Sequence, residues 1–252
     1  MSVQWVLLFA VEEVDKMPLS LFIFINVILI LLTLWPAYFA IKNKRVSRLI
    51  KKVPTTAIRY AKPGFREFVG TALYHEEGPL VAPLSGRECA WYSCSVEREE
   101  LREDDDGNTE RTWDQIYSKQ SDSAFMMEDA TGCCFVDPMD ADLTPSTHEG
   151  WHEHQGSFQL IGFTFRYGEK YRFSESRIHQ GDPLYALGHY AADTYLMRKP
   201  KSSGYPFILT CKSQEEAIKS YESSSTLLFV IALILGALWL WFLIANIGEA
   251  LQ

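Results

Sequence analysis

The 252-residue chain has few cysteines: Cys89, Cys94, Cys133, Cys134 and Cys211, an odd number with no C-x-x-C pair among them. That excludes a disulfide-stapled secreted mini-domain, whose bridges need paired cysteines at close spacing. Internal repeats are lacking, and the one low-complexity run is the acidic stretch Glu103 to Asp106. Positive charge is lacking in the middle of the chain, where residues 53–225 carry 17 basic and 28 acidic groups, a net of −11. Nucleic acid is therefore excluded as a partner, because phosphate binding needs a positive surface on the domain itself. Ser85 sits in Leu-Ser-Gly and lacks the G-x-S-x-G elbow of a hydrolase nucleophile. Neither Asp104–Asp106 nor Asp137, Asp140 and Asp142 has the central glycine and distal glutamate of an EF-hand, so both runs read as exposed turns. No cofactor motif is found, and no cofactor is expected.

Charge is missing altogether from two stretches, and these are the most informative. The chain is 47% hydrophobic and 22% charged with a net of −8, and its mean hydropathy of −0.08 averages two very apolar runs with a polar middle. Leu19 to Ile41 carries no charge, and about 23 residues at roughly 1.5 Å rise reach about 34 Å, enough to cross a hydrocarbon core. Thr226 to Ile247 is a second such run, between Glu222 and Glu249. Both are apolar all round, which predicts membrane spans rather than amphipathic core helices. Trp35 and Tyr38 suit an interfacial belt near the end of the first; Trp239 and Trp241 lie deeper in the second. The short segment 1–18 is acidic at Glu12, Glu13 and Asp15, and no A-x-A-like site follows the first run, which predicts a signal anchor rather than a cleaved peptide.

Lys42, Lys44, Arg45, Arg48, Lys51 and Lys52 crowd behind the first span, against Lys16 alone before it. The positive-inside rule then predicts a cytoplasmic middle domain in a bacterial inner membrane, or a mitochondrial membrane if the source is eukaryotic. This collar can also meet anionic headgroups, so membrane lipids are expected partners, although a topology determinant is the simpler reading. Residues 42–53 continue the helical pattern and Pro54 stops it, while Ser213 can cap a helix with Glu215 and Glu216 in its first turn. Residues 54–222 form the intervening domain.

That domain is rich in strand formers and turns. Strands are predicted at Phe65–Leu73, Glu88–Glu97, Thr109–Lys119, Ser123–Glu128, Gly132–Val136, Tyr171–Ile178, Leu184–Ala191 and Phe207–Cys211, with turns near Asp106, Gly132 and Gly181–Asp182. The expected fold is two transmembrane helices bracketing a mainly-β (α+β) domain, a partly open small β-barrel.

Three stretches in order, APLSGRECAWYSCSVE (Ala82–Glu97), FMMEDATGCCFVDP (Phe125–Pro138) and YRFSESRIHQGDPLYALG (Tyr171–Gly188), resemble the GIDE or MULAN family of membrane-anchored E3 ubiquitin ligases, specifically its "beside a membrane" domain. The likeness covers roughly residues 60–215, and the two-span layout agrees. It marks Ser85, Gly86, Trp91, Tyr92, Asp129, Gly132, Glu175, Gly181, Asp182 and Gly188 as signature positions, structural or partner-binding, with no catalytic residue among them. In the mitochondrial relatives ligase activity belongs to a RING after the second span, held by about eight cysteine and histidine ligands. No cysteine of this sequence lies beyond its second span, so RING-less bacterial forms resemble it most. The resemblance implies a non-catalytic scaffold or sensor that binds a membrane protein partner, for which a LemA-type protein is a candidate. Ligase-like function by family is the alternative.

A second enzyme reading comes from HEGWHEH. His148, Glu149 and His152 spell H-E-x-x-H and His154 adds a third imidazole; on a helix such histidines grip one zinc, with Glu169 or Glu175 as a further ligand. Pro145 before it and Gly150 within it argue against a helix and predict a polar loop between strands. Cys133 and Cys134 are adjacent and predict opposite faces of a half-buried strand, with a thiol switch as the other use. Glu175 is the signature residue that strand packing explains least. Gly236 allows close approach for a homo-oligomer, although neither span contains GxxxG.

Overall fold

A computed structural model of the chain describes residues 19–103, 109–153, 159–160, 163–164, 169–201 and 204–250. Helix α1 runs from Leu19 to Lys52 and helix α2 from Gln214 to Ala250, each containing a stretch long and apolar enough to cross a membrane. Helix α1 carries the apolar run and the basic collar without a break and ends two residues before Pro54, the last helical bond being donated by Val53 N to Leu49 O at 3.1 Å. Helix α2 starts on a reciprocal cap. Ser213 Oγ accepts from Glu216 N at 3.2 Å, and Ser213 N donates to the Glu216 carboxylate at 2.9 Å. The Ser213 amide, then the Ser213 hydroxyl, donating to its carboxylate hold the Glu216 carboxyl below the usual range.

Two compact units result, one from residues up to Ser47 with Lys219 onward, the other from Arg48 to Ile218. In the helical unit the pair is antiparallel and joined by polar side chains. Trp239 Nε1 donates to Asn26 Oδ1 at 2.9 Å, Ser225 Oγ to the Ala40 carbonyl at 2.8 Å, and Ser47 Oγ to Glu222 at 3.0 Å, while Phe22 stacks on Phe242. Polar side chains thus join two helices whose remaining contacts are apolar. The outward faces, including Phe24, Trp35, Leu233 and Trp241, are exposed. Among the described residues nothing lies within 4 Å of a Cβ placed at Gly236.

The other unit is mainly β. Its strands in chain order are β1 (Gly64–Leu73), β2 (Leu80–Val81), β3 (Glu88–Cys89), β4 (Trp91–Glu103), β5 (Thr109–Gln120), β6 (Phe125–Glu128), β7 (Cys133–Val136), β8 (Asp142–Thr144), β9 (Thr147–Glu153), β10 (Gln159–Leu160), β11 (Phe163–Thr164), β12 (Tyr171–Ile178), β13 (Pro183–Ala191), β14 (Leu196–Arg198) and β15 (Ile208–Thr210). Strands β1, β6, β7, β14 and β13 pair in that order, and β13 returns to β1 in an eight-residue register from Gly64↔Tyr190 to Thr71↔Pro183. The small barrel is thus closed, with no free edge within its ring of five. β15 and β8 extend the sheet from β13. Phe68, Phe125, Met127, Val136, Leu184, Ala186, Tyr190 and Met197 fill the interior.

Beside the barrel lies a second sheet, ordered β5-β4-β12-β9. Its inner face carries Cys94, Val96, Tyr171 and Phe173, with Trp151 stacked on Phe173. Two predictions are corrected here. HEGWHEH forms neither a helix nor a loop through residue 153: Thr147–Glu153 is strand β9, paired residue for residue with β12 from Arg177↔Thr147 to Tyr171↔Glu153. Pairing with a long neighbouring strand overrides the local turn chemistry of Pro145 and Gly150. The other is the predicted strand at Glu88–Glu97, which breaks at Ala90 into β3, paired with β2, and β4, paired with β5 and β12. The turn predicted near Asp106 and His154 of the histidine cluster fall outside the described residues.

Candidate functional site

Glu175 is where the signature residues meet. On β12 the side chains of Tyr171, Phe173, Glu175 and Arg177 alternate onto the inner face of the second sheet, so period two drives both charges inward. Both are fully buried and paired: Arg177 Nη1 donates to Glu175 Oε1. The other oxygen, Glu175 Oε2, accepts from the backbone amides of Leu84 at 2.9 Å and Ser85 at 3.2 Å. A buried carboxylate thus pins the turn that begins the first signature stretch. Gly86 completes that turn at φ +68°, its amide bonded to the Ala82 carbonyl at 2.9 Å, while the Ala82 amide bonds the Arg87 carbonyl. Ser85 Oγ accepts from Arg177 Nη1 at 3.1 Å.

The network continues outward to the edge strand. Arg177 Nη2 donates to Glu149 Oε2 at 2.8 Å, and Arg87 Nη1 donates to Glu149 Oε1 at 3.1 Å. Two guanidinium groups thus hold one carboxylate. The Arg177 hydrogen bond above all, then both positive charges, keeps the Glu149 carboxyl below the usual range. The Arg177 side chain is inaccessible, whereas Glu149 is 40% and Arg87 62% exposed, so the cluster runs from a dry floor to a wet rim. Behind it, burial and then the Glu175 charge push the Cys89 and Cys94 thiols up to about 11. Protonated and enclosed, they are poor nucleophiles.

The histidines have other partners. On a strand His148 and His152 share a face but stand about 13 Å apart, four residues at roughly 3.3 Å each, and Glu149 points to the opposite face. His148 Nδ1 contacts Ser176 Oγ at 2.8 Å, and the His152 ring meets Trp113 edge-on. The zincin arrangement is therefore not built by the residues that spell it. No group of three or more histidine, cysteine, aspartate or glutamate side chains among the described residues is placed to hold a metal ion.

The remaining signature residues act at turns and in the core. Asp129 accepts from the amides of Ile58, Thr131 and Gly132 and from the Thr131 hydroxyl, at 2.6–3.0 Å. Burial pushes its carboxyl up, and these four bonds together outweigh it and leave it below the usual range. Gly132 thus serves through its amide. Asp182 closes the β12–β13 turn by accepting from the His179 amide at 2.6 Å and from the Ser146 hydroxyl, with Gly181 at φ +84°. Gly188 leaves room for Phe207: a Cβ there would stand 2.6 Å from its ring. Trp91 is buried in the barrel core with its Nε1 unpartnered among the described residues, and the Tyr92 amide donates to Ser121 Oγ at 3.3 Å while the Ser121 amide donates to the Tyr92 carbonyl at 2.9 Å.

Sequence reasoning missed Arg177, Arg87 and Glu67. The signal for Arg177 was present, since Glu175 and Arg177 are two apart in a strand and must share a face. Glu67 is fully buried on β1, accepting from the Thr55 hydroxyl at 2.6 Å, the Tyr185 hydroxyl at 2.7 Å and the Gln214 amide at 3.0 and 3.2 Å.

The chain thus has a closed five-strand barrel and a pinned surface turn lying in sequence between two helices, each long and apolar enough to cross a membrane. The GIDE family, described as E3 Ubiquitin ligase, matches residues 96–243, and the chain belongs to that family. The match is more than half of the sequence and runs from strand β4 into the apolar part of α2. No curated protein and no solved structure matches the chain.

Proposed function

We propose that the chain is an integral membrane scaffold or sensor whose GIDE domain binds a protein partner through the turn at residues 82–87 and the adjoining strand β9. One observation carries this reading: a fully buried ion pair, Glu175–Arg177, is committed to fixing a surface turn. Burying two charges costs several kcal/mol in desolvation, and a buried pair is by itself a weak source of stability. What it supplies is a turn of one shape, the property a recognition surface requires. The basic collar supports a domain on the cytoplasmic face, and alkaline phosphatase fused at Gly107 is then inactive. Strong phosphatase activity at that point reverses the topology.

A ligase-related role is the second reading, favoured by the family's description. The five cysteines of these 252 residues include no C-x-x-C pair, so these residues by themselves do not build a RING. Under this reading the domain recruits and another polypeptide transfers. In-cell cross-linking followed by isolation in mild detergent tests both. A stoichiometric membrane protein, a LemA-type protein among the candidates, that is lost on Arg87→Ala with the fold intact supports recruitment through the turn. Recovery of a ubiquitin-conjugating enzyme supports the second reading. Recovery of the chain alone, or only with itself, refutes both.

A further inference from the structure

The rim of the pinned turn is already arranged as a receptor for one carboxylate. We propose that Arg87 and Arg177 form a carboxylate-binding site that the chain's own Glu149 occupies, and that a protein partner engages by inserting an acidic side chain or C-terminal carboxylate in its place. This rests on the recruitment reading above and names the chemistry of its ligand.

Charge balance makes Glu149 replaceable. Arg177 is fully buried and Glu175, equally buried, neutralises it, so the interior is balanced without Glu149. Removing Glu149 leaves two arginines and one glutamate, a net of +1 that one incoming carboxylate cancels. Geometry makes Glu149 reachable. It lies on β9, the end strand of its sheet, 40% exposed, and Arg87 on the opposite lip is 62% exposed. The two guanidinium groups approach different oxygens of the same carboxylate, at 3.1 and 2.8 Å, so the donors converge as they would on a foreign one. Arg177 also keeps an unused donor: its buried Nε has no partner among the described residues. A self-occupied site gives a low resting affinity and a defined competitor, and a partner binds only where its carboxylate and flanking contacts together outcompete Glu149. The domain's net charge of −11 repels anions at long range, so association quickens with added salt, opposite to the usual behaviour of basic sites.

The test uses the full chain in detergent, with acetate as probe and chloride holding ionic strength constant. Glu149→Ala is expected to bind acetate at least tenfold more tightly than the wild type, read as an acetate-dependent rise in Tm and by titration calorimetry. Glu149→Gln, whose one carbonyl oxygen can still accept from an arginine, preserves the fold if the alanine variant does not, and is expected to fall between them. Adding Arg87→Ala abolishes the gain. Peptides ending in a free carboxylate, the same peptides amidated, and amidated peptides with an internal glutamate then separate a C-terminal source from a side-chain source. If neither Glu149 variant binds acetate more tightly than the wild type, or if Arg87→Ala leaves the gain untouched, the site does not exist. A partner that cross-links and is lost on Arg87→Ala, with no acetate binding in either Glu149 variant, overturns this inference and leaves the recruitment reading standing. Acetate binding without any partner in cells does the reverse.

Discussion

Replacing Glu175 by alanine strands three donors at once: the amides of Leu84 and Ser85 and one Nη1 hydrogen of a fully buried Arg177. Each orphaned neutral amide costs about 1–3 kcal/mol, and the buried Arg177 is left with only the half-exposed Glu149 to offset its charge. Because water can reach part of the opened site, the total should fall near the about 3–5 kcal/mol typical of breaking a buried pair. For a unit of this size, at roughly 2–4 °C per kcal/mol, that is a Tm lower by roughly 6–20 °C. The double variant Glu175→Leu/Arg177→Met removes both charges and should recover the share due to the stranded guanidinium, leaving at least about 2 kcal/mol from the two turn amides. The assay is a double-mutant cycle by thermal and denaturant unfolding in detergent, with hydrogen exchange at Leu84 and Ser85. If the pair is structural only through its packing, the single losses add. Additivity within about 0.5 kcal/mol, or a Glu175→Ala cost below about 1 kcal/mol, refutes the account of the turn as electrostatically pinned. Exchange protection at Leu84 and Ser85 that survives the double variant shows the turn standing on its own bonds, which also undoes the proposed purpose of the pair.

Gly70→Ala drives a Cβ to 1.9 Å from the Glu128 carbonyl oxygen and should destabilise by about 3 kcal/mol or more, whereas Gly188→Ala meets chiefly the Phe207 ring, with the Arg198 carbonyl oxygen at 3.1 Å, and should cost about 1–3 kcal/mol, partly relieved by Phe207→Leu; chemical denaturation distinguishes them. Of the five cysteines, Cys133 is exposed while Cys134 and Cys211 are pushed to about 12 by burial, so iodoacetamide at neutral pH should label Cys133 rapidly and the other four only after unfolding. The depressed Asp129 carboxyl contributes stability that is present above the unfolded carboxyl range and lost as pH falls through its lower folded value; Asp129→Asn should therefore flatten the acid limb of a stability–pH curve, and an unchanged limb would refute the four-bond account.

The large features of the fold could be read from residue order because they rest on local regularities. Uncharged runs of span length give the two helices, and Tyr171–Ile178 alternates so cleanly that the predicted strand and β12 have the same ends. Short strands such as β8 and β14, three residues each, have too little pattern to be seen and exist because a neighbour pairs with them. The mistake over His148 and His152 has the same origin, since Gly150 and Pro145 speak for a loop until β12 supplies seven cross-strand partners. Glu175 stood out as unexplained by packing, but nothing local indicates that its carboxylate reaches the amides of residues 84 and 85, ninety positions away. Such a contact depends on the closure of two sheets, which residue order does not display.

Glu67 reaches both Thr55, three residues beyond helix α1, and Gln214, the first residue of helix α2. The chain therefore arrives in the domain and departs from it within the span of one side chain. A domain whose ends nearly touch can be set into the loop of a helical hairpin, or lifted out of it, without forcing the helices apart. The 48–218 unit is thus a cassette: excised with a short linker joining the helix stubs, it should leave a hairpin still closed by Asn26–Trp239, and transplanted onto another two-helix anchor it should fold with its own barrel and pinned turn intact.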